Sequence, residues 1–274
     1  MKIDLGFKYK ELLDFLNKEK SFKPDFAVVL GSGLGDFANS VDVKKSIRTV
    51  DLPGYPPSTV EGHSGQIIFA EAENKKLLLF KGRIHFYEGY KIYEVLLPAF
   101  IAFKLKCKGM LLTNAAGGIN RNFNPGDLML ADSFNGMNIK KELASFINLP
   151  SYQTKNTFLD FPSSRLNNIA RNAAKEEGII LKEGTYWFSK GPSYETPAEV
   201  ESMYKFNADA IGMSTVHEAI FAVSLGMEVM SISCITNLAA GISPTKLSHD
   251  EVTETANLVK TKFERLVRKI ISRI

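Results

Sequence analysis

The sequence predicts an α/β protein, a single domain over residues 1–274 in which helices cover both faces of a mixed, mostly parallel central sheet. Three observations carry that expectation. Short apolar runs rich in β-branched residues recur along the chain, helical patterns lie between several of them, and no linker, repeat or low-complexity tract divides the sequence. With 45% hydrophobic and 23% charged residues, a chain of 274 residues can bury a large core.

Element by element, FAVVL (26–30) reads as a buried strand that runs straight into the glycine turn GSGLG (31–35). QIIFAE (66–71) and KLLLFKG (76–82) have hairpin spacing, which adds antiparallel pairing. IYEVLLPAFIAFKL (92–105) is helical around Pro98, which kinks it or marks a boundary. MLLTNAA (110–116) and DLMLADS (127–133) are further strands, followed by an irregular excursion over about 134–162, rich in Asn, Ser and Pro. SSRLNNIARNAAKEEG (163–178) opens on a serine cap and closes on Gly178. TYWFS (185–189), DAIGM (209–213) and EVMSISCITN (228–237) complete the strands. Capping boxes at 196–199 and 248–251 start two more helices. In the last, Val259, Phe263, Leu266, Val267, Ile270 and Ile271 recur at helical spacing, so its basic residues form a solvated face.

Several function classes drop out on charge and composition. Lys and Arg number 34 against 30 Asp and Glu, an excess too small and dispersed for a nucleic-acid partner. No apolar run is long enough for a membrane span and the first residues carry no signal-peptide core. Cys107 and Cys234, both in apolar surroundings, are expected to be buried thiols in a reducing, cytoplasmic compartment. Four histidines without ligand spacing suggest no metal.

The glycine turn is the first chemical signal. A dinucleotide fingerprint wants a third glycine where Asp36 stands, and Asp51, at the right distance for a ribose contact, precedes LPGYPP instead of ending a second strand. No Lys-Ser/Thr pair follows, so the P-loop pattern fails as well. Ser32 and the backbone N–H groups remain available to a small anion, and a plain strand-to-helix turn is the alternative. In GRIHFYEGY, Arg83, His85 and Tyr87 alternate, so an extended segment projects all three from one face. A guanidinium, an imidazole and a phenol in a row suit a ligand with phosphate at one end and hydroxyls beyond; a solvated edge strand is the competing view. TNAAGG (113–118) ends a strand in small residues that let a ligand approach the backbone, where open α/β sheets bind. Tyr194 and Glu195 precede a capped helix and offer a ring and a carboxylate to a planar base, although Glu195 also suits the helix N-terminus electrostatically. Met213, Ser214 and Asn237 add apolar padding, a hydroxyl and an amide at two other strand ends.

GSGLG (31–35), GHSG (62–65), GRIHFYEGY (82–90), TNAAGG (113–118), GPSYET (191–196), GMST (212–215), ITN (235–237) and SHDEV (248–252), taken in order, resemble the trimeric, 6-oxopurine-preferring purine nucleoside phosphorylases. The resemblance implies the nucleoside phosphorylase fold and reversible phosphorolysis of inosine, guanosine and their 2′-deoxy forms, with inorganic phosphate as co-substrate and no cofactor. It implies a homotrimer, with a purine nucleoside and phosphate as ligands. Ser32, His63, Arg83, His85, Ala115 and Ser214 would hold phosphate. Tyr87, Met213, His249 and Phe161 would meet the ribose, the last from a neighbouring subunit. Tyr194, Glu195, Asn237, Ala116 and Gly117 would frame the base, and Asn237, Glu195 and His85 would carry the chemistry. Two positions depart from the family pattern: Tyr194 stands where phenylalanine is common, and His217 where proline is frequent. On a helix face His217 reads as a satisfied surface or core histidine. A methylthioadenosine phosphorylase, a Rossmann-type oxidoreductase and a non-catalytic nucleoside binder are the alternatives; Asn237 and His249 speak against the first, GRIHFY and GPSYET against the second, and the phosphate groups against the third.

Overall fold

The computed structural model describes residues 3–57, 65–147, 156, 158–242 and 249–274, the side chains of 249–253 and 256–257 excepted. Nine strands form one sheet: β1 Phe26–Leu30, β2 Asp42–Arg48, β3 Gln66–Ala72, β4 Lys75–Lys81, β5 Gly109–Gly118, β6 Leu128–Asn135, β7 Leu181–Phe188, β8 Ala210–Gly212 and β9 Glu228–Leu238. The longer helices are α1 Lys10–Glu19, α2 Leu97–Lys104, α3 Ser164–Glu176, α4 Pro197–Lys205, α5 Val216–Ser224 and α6 His249–Arg273. The strand order is β2-β3-β4-β1-β5-β8-β7-β6-β9, and β9 also pairs with β5. That last pairing closes β5, β8, β7, β6 and β9 into a ring, while β2, β3, β4 and β1 extend from it as an open sheet.

Alternation along the strands explains why helices lie on both faces. In β1, Ala27 and Val29 enter the core under α1, α2 and α5, whereas Val28 and Leu30 enter the core under α3 and α6. The periodic residues of α6 named from sequence are all buried in that second core. Both free thiols are buried, and burial pushes Cys107 and Cys234 up to about 12.

Most of the boundaries obey local chemistry. The 66–71 and 76–82 runs do form an antiparallel hairpin. Pro98 marks a boundary, because a single helical turn ends at Val95 and α2 restarts around the proline. Ser163 accepts from the Leu166 N–H at 3.3 Å and Gly178 ends α3 at φ 64°. Thr196 and Glu199 complete the capping box of α4. The second capping box involves Ser248, outside the described residues.

Two of these longer elements were not read from the sequence. Strand β2 is a polar edge strand in which only Ile47 is buried, so its alternation is silent. Helix α1 buries only Leu12, Leu13 and Leu16, a short stripe in a charged segment.

Candidate active site

Strand β1 leaves the sheet through Gly31, whose backbone lies so close to β5 that a Cβ there would sit 2.5 Å from the Thr113 carbonyl oxygen. Thr113 Oγ donates to Val29 and accepts from the Gly31 N–H, which fixes the turn. Gly33 then takes φ 72°, open to glycine. The chain continues into a short 3-10 turn, Gly35–Asn39, and not into a long helix, so no helix dipole faces the glycine turn as a pyrophosphate site requires. Asp36 is committed to Lys260 at 2.6 Å and Asp51 to Arg48, so neither carboxylate is placed as a ribose ligand.

The turn opens into a cleft of about 800 Å³, mouth included, at the carboxyl ends of β1, β4, β5, β8 and β9. Ser32, Arg83, His85, Tyr87, Ala115, Ala116, Gly117, Tyr194, Glu195, Met213, Ser214 and Asn237 all line it. His63 lies outside the described residues. His249 opens α6, but its side chain is likewise outside them. Phe161 does not line the cleft of its own chain; it stacks on Phe134 at 5.1 Å.

The extended projection expected for Arg83, His85 and Tyr87 is corrected by the structure. Strand β4 ends at Lys81, Gly82 turns at φ 90°, and Phe86–Glu88 form a 3-10 turn. The turn is closed by the His85 N–H donating to Glu88 Oε1 at 2.6 Å. Tyr87 therefore folds back, and its ring stacks on His85 at 4.8 Å instead of projecting further along a strand. All three still reach one cleft. Glu88 also lies 3.1 Å from His85 Nδ1, which orients the imidazole. Burial raises the Tyr87 phenol to about 12, so it remains a neutral donor.

Arg83 is almost wholly buried. Its Nη1 donates to the Thr113 carbonyl at 3.0 Å and lies 3.5 Å from Ser214 Oγ, while Nη2 has no hydrogen-bond partner among the described residues. Nε lies 3.0 Å from Glu218 Oε2, a charge contact off the N–H axis, since neither group completes a hydrogen bond there. Ser214 is presented by a tight turn in which the Val216 N–H bonds the Ser214 carbonyl at 2.8 Å. Thr215, at φ 76° and ψ −57°, carries the strain, on the order of 1–3 kcal/mol. Asn114 Nδ2 and Ser214 Oγ hold the Thr215 hydroxyl at 3.0 and 3.1 Å.

At the other end, Glu195 Oε1 is buried without a hydrogen-bond partner among the described residues. Glu199 takes the capping role at α4, which leaves Glu195 uncommitted to the helix. Thr236 donates to Asn237 Oδ1 at 2.9 Å and Asn237 Nδ2 donates to the Leu238 carbonyl at 3.1 Å, so the amide enters the cleft pre-oriented. A Cβ at Gly117 would lie 3.4 Å from that amide nitrogen.

Sequence reasoning missed the groups that support the site: Thr113, Asn114, Thr236 and above all Glu218. A glutamate within the apolar run TVHEAIFAV was the only available signal. His217, beside it, is the core histidine that one of the two readings expected, but not a satisfied one. It is fully buried, packs edge-on to Phe188, and neither ring nitrogen has a partner among the described residues. Burial first, then the charges of Arg83 and His85, depress it to about 3. Among the described residues no cluster of His, Cys, Asp and Glu is arranged for a metal, and no helix is long and apolar enough to cross a membrane.

Comparison with known proteins agrees with this geometry. The chain is 39% identical over 268 residues to purine nucleoside phosphorylase 1 of Geobacillus stearothermophilus, covering 96% of each chain. Its fold superimposes with a TM-score of 0.87 on Schistosoma mansoni purine nucleoside phosphorylase in complex with inosine, at 29% identity, covering 98% of this chain and 96% of that one. A Schistosoma mansoni purine nucleoside phosphorylase in complex with adenosine gives 0.88 at 30% identity, with 98% of this chain and 97% of that one covered. Residues 25–272 match the phosphorylase superfamily model, and the chain belongs to that family.

Proposed function

We propose that this protein is a purine nucleoside phosphorylase that cleaves inosine, guanosine and their 2′-deoxy forms with inorganic phosphate. One observation carries the reading. A single cleft holds a buried cationic corner without a partner, Arg83 Nη2, and a buried carboxylate oxygen without a partner, Glu195 Oε1, among the described residues. The first calls for an anion and the second for an N–H donor, so the two match opposite ends of a phosphate–nucleoside pair.

Phosphate would lie against Arg83, Ser32, Ser214, His85 and the Ala115 N–H, with the ribose over Tyr87 and Met213. A phosphate oxygen forms the new bond to C1′ as the C1′–N9 bond breaks, and the bonding pair leaves with the base. Positive charge builds on the sugar beside the phosphate, and negative charge on the purine, where the Asn237 amide donates. Holding both reactants removes several kcal/mol of encounter entropy. The reaction calls on no cofactor. Glu195 accepts from N1–H of a 6-oxopurine but faces an acceptor in adenine, a mismatch of about 1–3 kcal/mol. By the family resemblance, Phe161 of a neighbouring copy would reach the ribose in a trimer.

The test is the release of free base from inosine, followed spectrophotometrically with and without phosphate, and then from adenosine. Phosphate-dependent cleavage of inosine, with adenosine turned over far more slowly, is expected. Because a relative has been solved with adenosine, turnover and not binding is the discriminating quantity. Equal turnover of the two nucleosides would remove Glu195 from base selection; cleavage without phosphate would end the proposal.

A further inference from the structure

Glu218 has no place in the reaction just described, yet it is wholly buried against the phosphate end of the cleft. It sits in the first turn of α5, and its Oε2 is 3.0 Å from Arg83 Nε. The guanidinium does not need Glu218 for its orientation, because the Thr113 carbonyl already holds Nη1. What Glu218 supplies is charge. An arginine stays protonated, and a lone buried cation is less stable than a buried pair. The other groups whose charges are felt nearby are His85, on the same segment as Arg83, and Tyr55, whose phenol is raised partly by Glu218; His217 is its neutral neighbour on α5. Burial pushes the Glu218 carboxyl up, and Arg83 and His85 pull it back down.

We propose that Glu218 is the counter-ion against which incoming phosphate competes: it discharges Arg83 in the empty site and so limits how tightly the anion is held. This rests on the assignment of the cleft as a phosphate site. A reversible phosphorolytic enzyme must release a sugar phosphate as readily as it takes up phosphate, and an uncompensated buried guanidinium would retain both. Arg83 Nη2 is the corner left for the anion, and Glu218 acts through Arg83 without touching it. Glu218 is thus an affinity-setting residue, not a catalytic one.

The experiment is calorimetric titration of inorganic phosphate into the full chain and into Glu218→Gln, which keeps the volume and removes the charge. The variant is expected to bind phosphate at least about tenfold more tightly, a change of about 1.4 kcal/mol, with its KM for inosine unchanged. A second readout is thermal. Without phosphate Glu218→Gln should melt below the natural protein, since Arg83 has lost its counter-ion, and saturating phosphate should raise its Tm by more. Unchanged or weaker phosphate binding by the variant, alongside normal binding by the natural protein, overturns the inference. So does a variant that fails to fold even in phosphate, since the carboxylate would then be a structural support. Failure of the natural protein to bind phosphate would instead count against the assigned function.

Discussion

The two ends of the cleft, proposed above to take phosphate and the purine base, are built differently. At the anion end the groups are buried and interlocked: Arg83 with Thr113 and Glu218, His85 with Glu88, Ser214 with Thr215 and Asn114. At the base end Tyr194 is 50% exposed and Glu195 sits on a loop before α4, while Asn237 is held by Thr236 and the Leu238 carbonyl. A phosphate ion never changes shape, so its site can be rigid and paid for once in buried polar contacts. The base end has to admit purines that differ at their edges, and an exposed loop is where such differences are accommodated.

This contrast can be broken by mutation. The largest effect is expected at the anion end from Arg83→Ala, which strands Glu218 as a lone buried carboxyl and should cost on the order of 3–5 kcal/mol of stability, read as a lowered Tm. A Tm equal to that of the natural protein would mean that Glu218 is neutral and the pair is no ion pair. At the base end Asn237→Ala should lower kcat for inosine about 10²-fold, with phosphate binding by calorimetry unaltered; unchanged turnover would take Asn237 out of the mechanism.

Acid should act on the interlocked end. His217 is held near 3 against an ordinary value of 6.5, so the folded protein refuses a proton that the unfolded chain accepts. Its penalty is absent above 6.5 and grows as pH falls from 6.5 toward 3, on the order of 3 kcal/mol between neutrality and pH 4. His217→Leu should therefore raise Tm more at acid pH than at pH 8, and an equal gain at both would refute a buried neutral imidazole. The smallest effect is expected from the loop. Glu195→Gln presents an amide that suits the adenine edge, and should narrow the inosine-to-adenosine ratio in kcat/KM by about tenfold while leaving phosphate KM alone.

The strand exits were legible because apolar runs ending in small residues announce where a sheet stops and a ligand can approach; Gly31, Ala115, Ala116 and Gly117 lie where that logic places them. The alternation of Arg83, His85 and Tyr87 was legible as chemistry but not as geometry, since one glycine and one local carboxylate convert an apparent strand into a turn. Glu218 was illegible for a different reason. In sequence it is a charge near a helix start, and only the packing of α5 against the exit of β4 gives it a guanidinium to face. The pairing of β9 with both β5 and β6 was equally hidden, because strand order depends on contacts 100 residues or more apart.

That ring of strands has a mechanical consequence. β5, β8 and β9 each lend a wall to the cleft, and each is tied on both sides, so none can swing aside without tearing backbone bonds along its neighbours. The stretch 189–196, which brings Tyr194 and Glu195 to the same cleft, lies between β7 and α4 and so is a wall built outside the strand ladder.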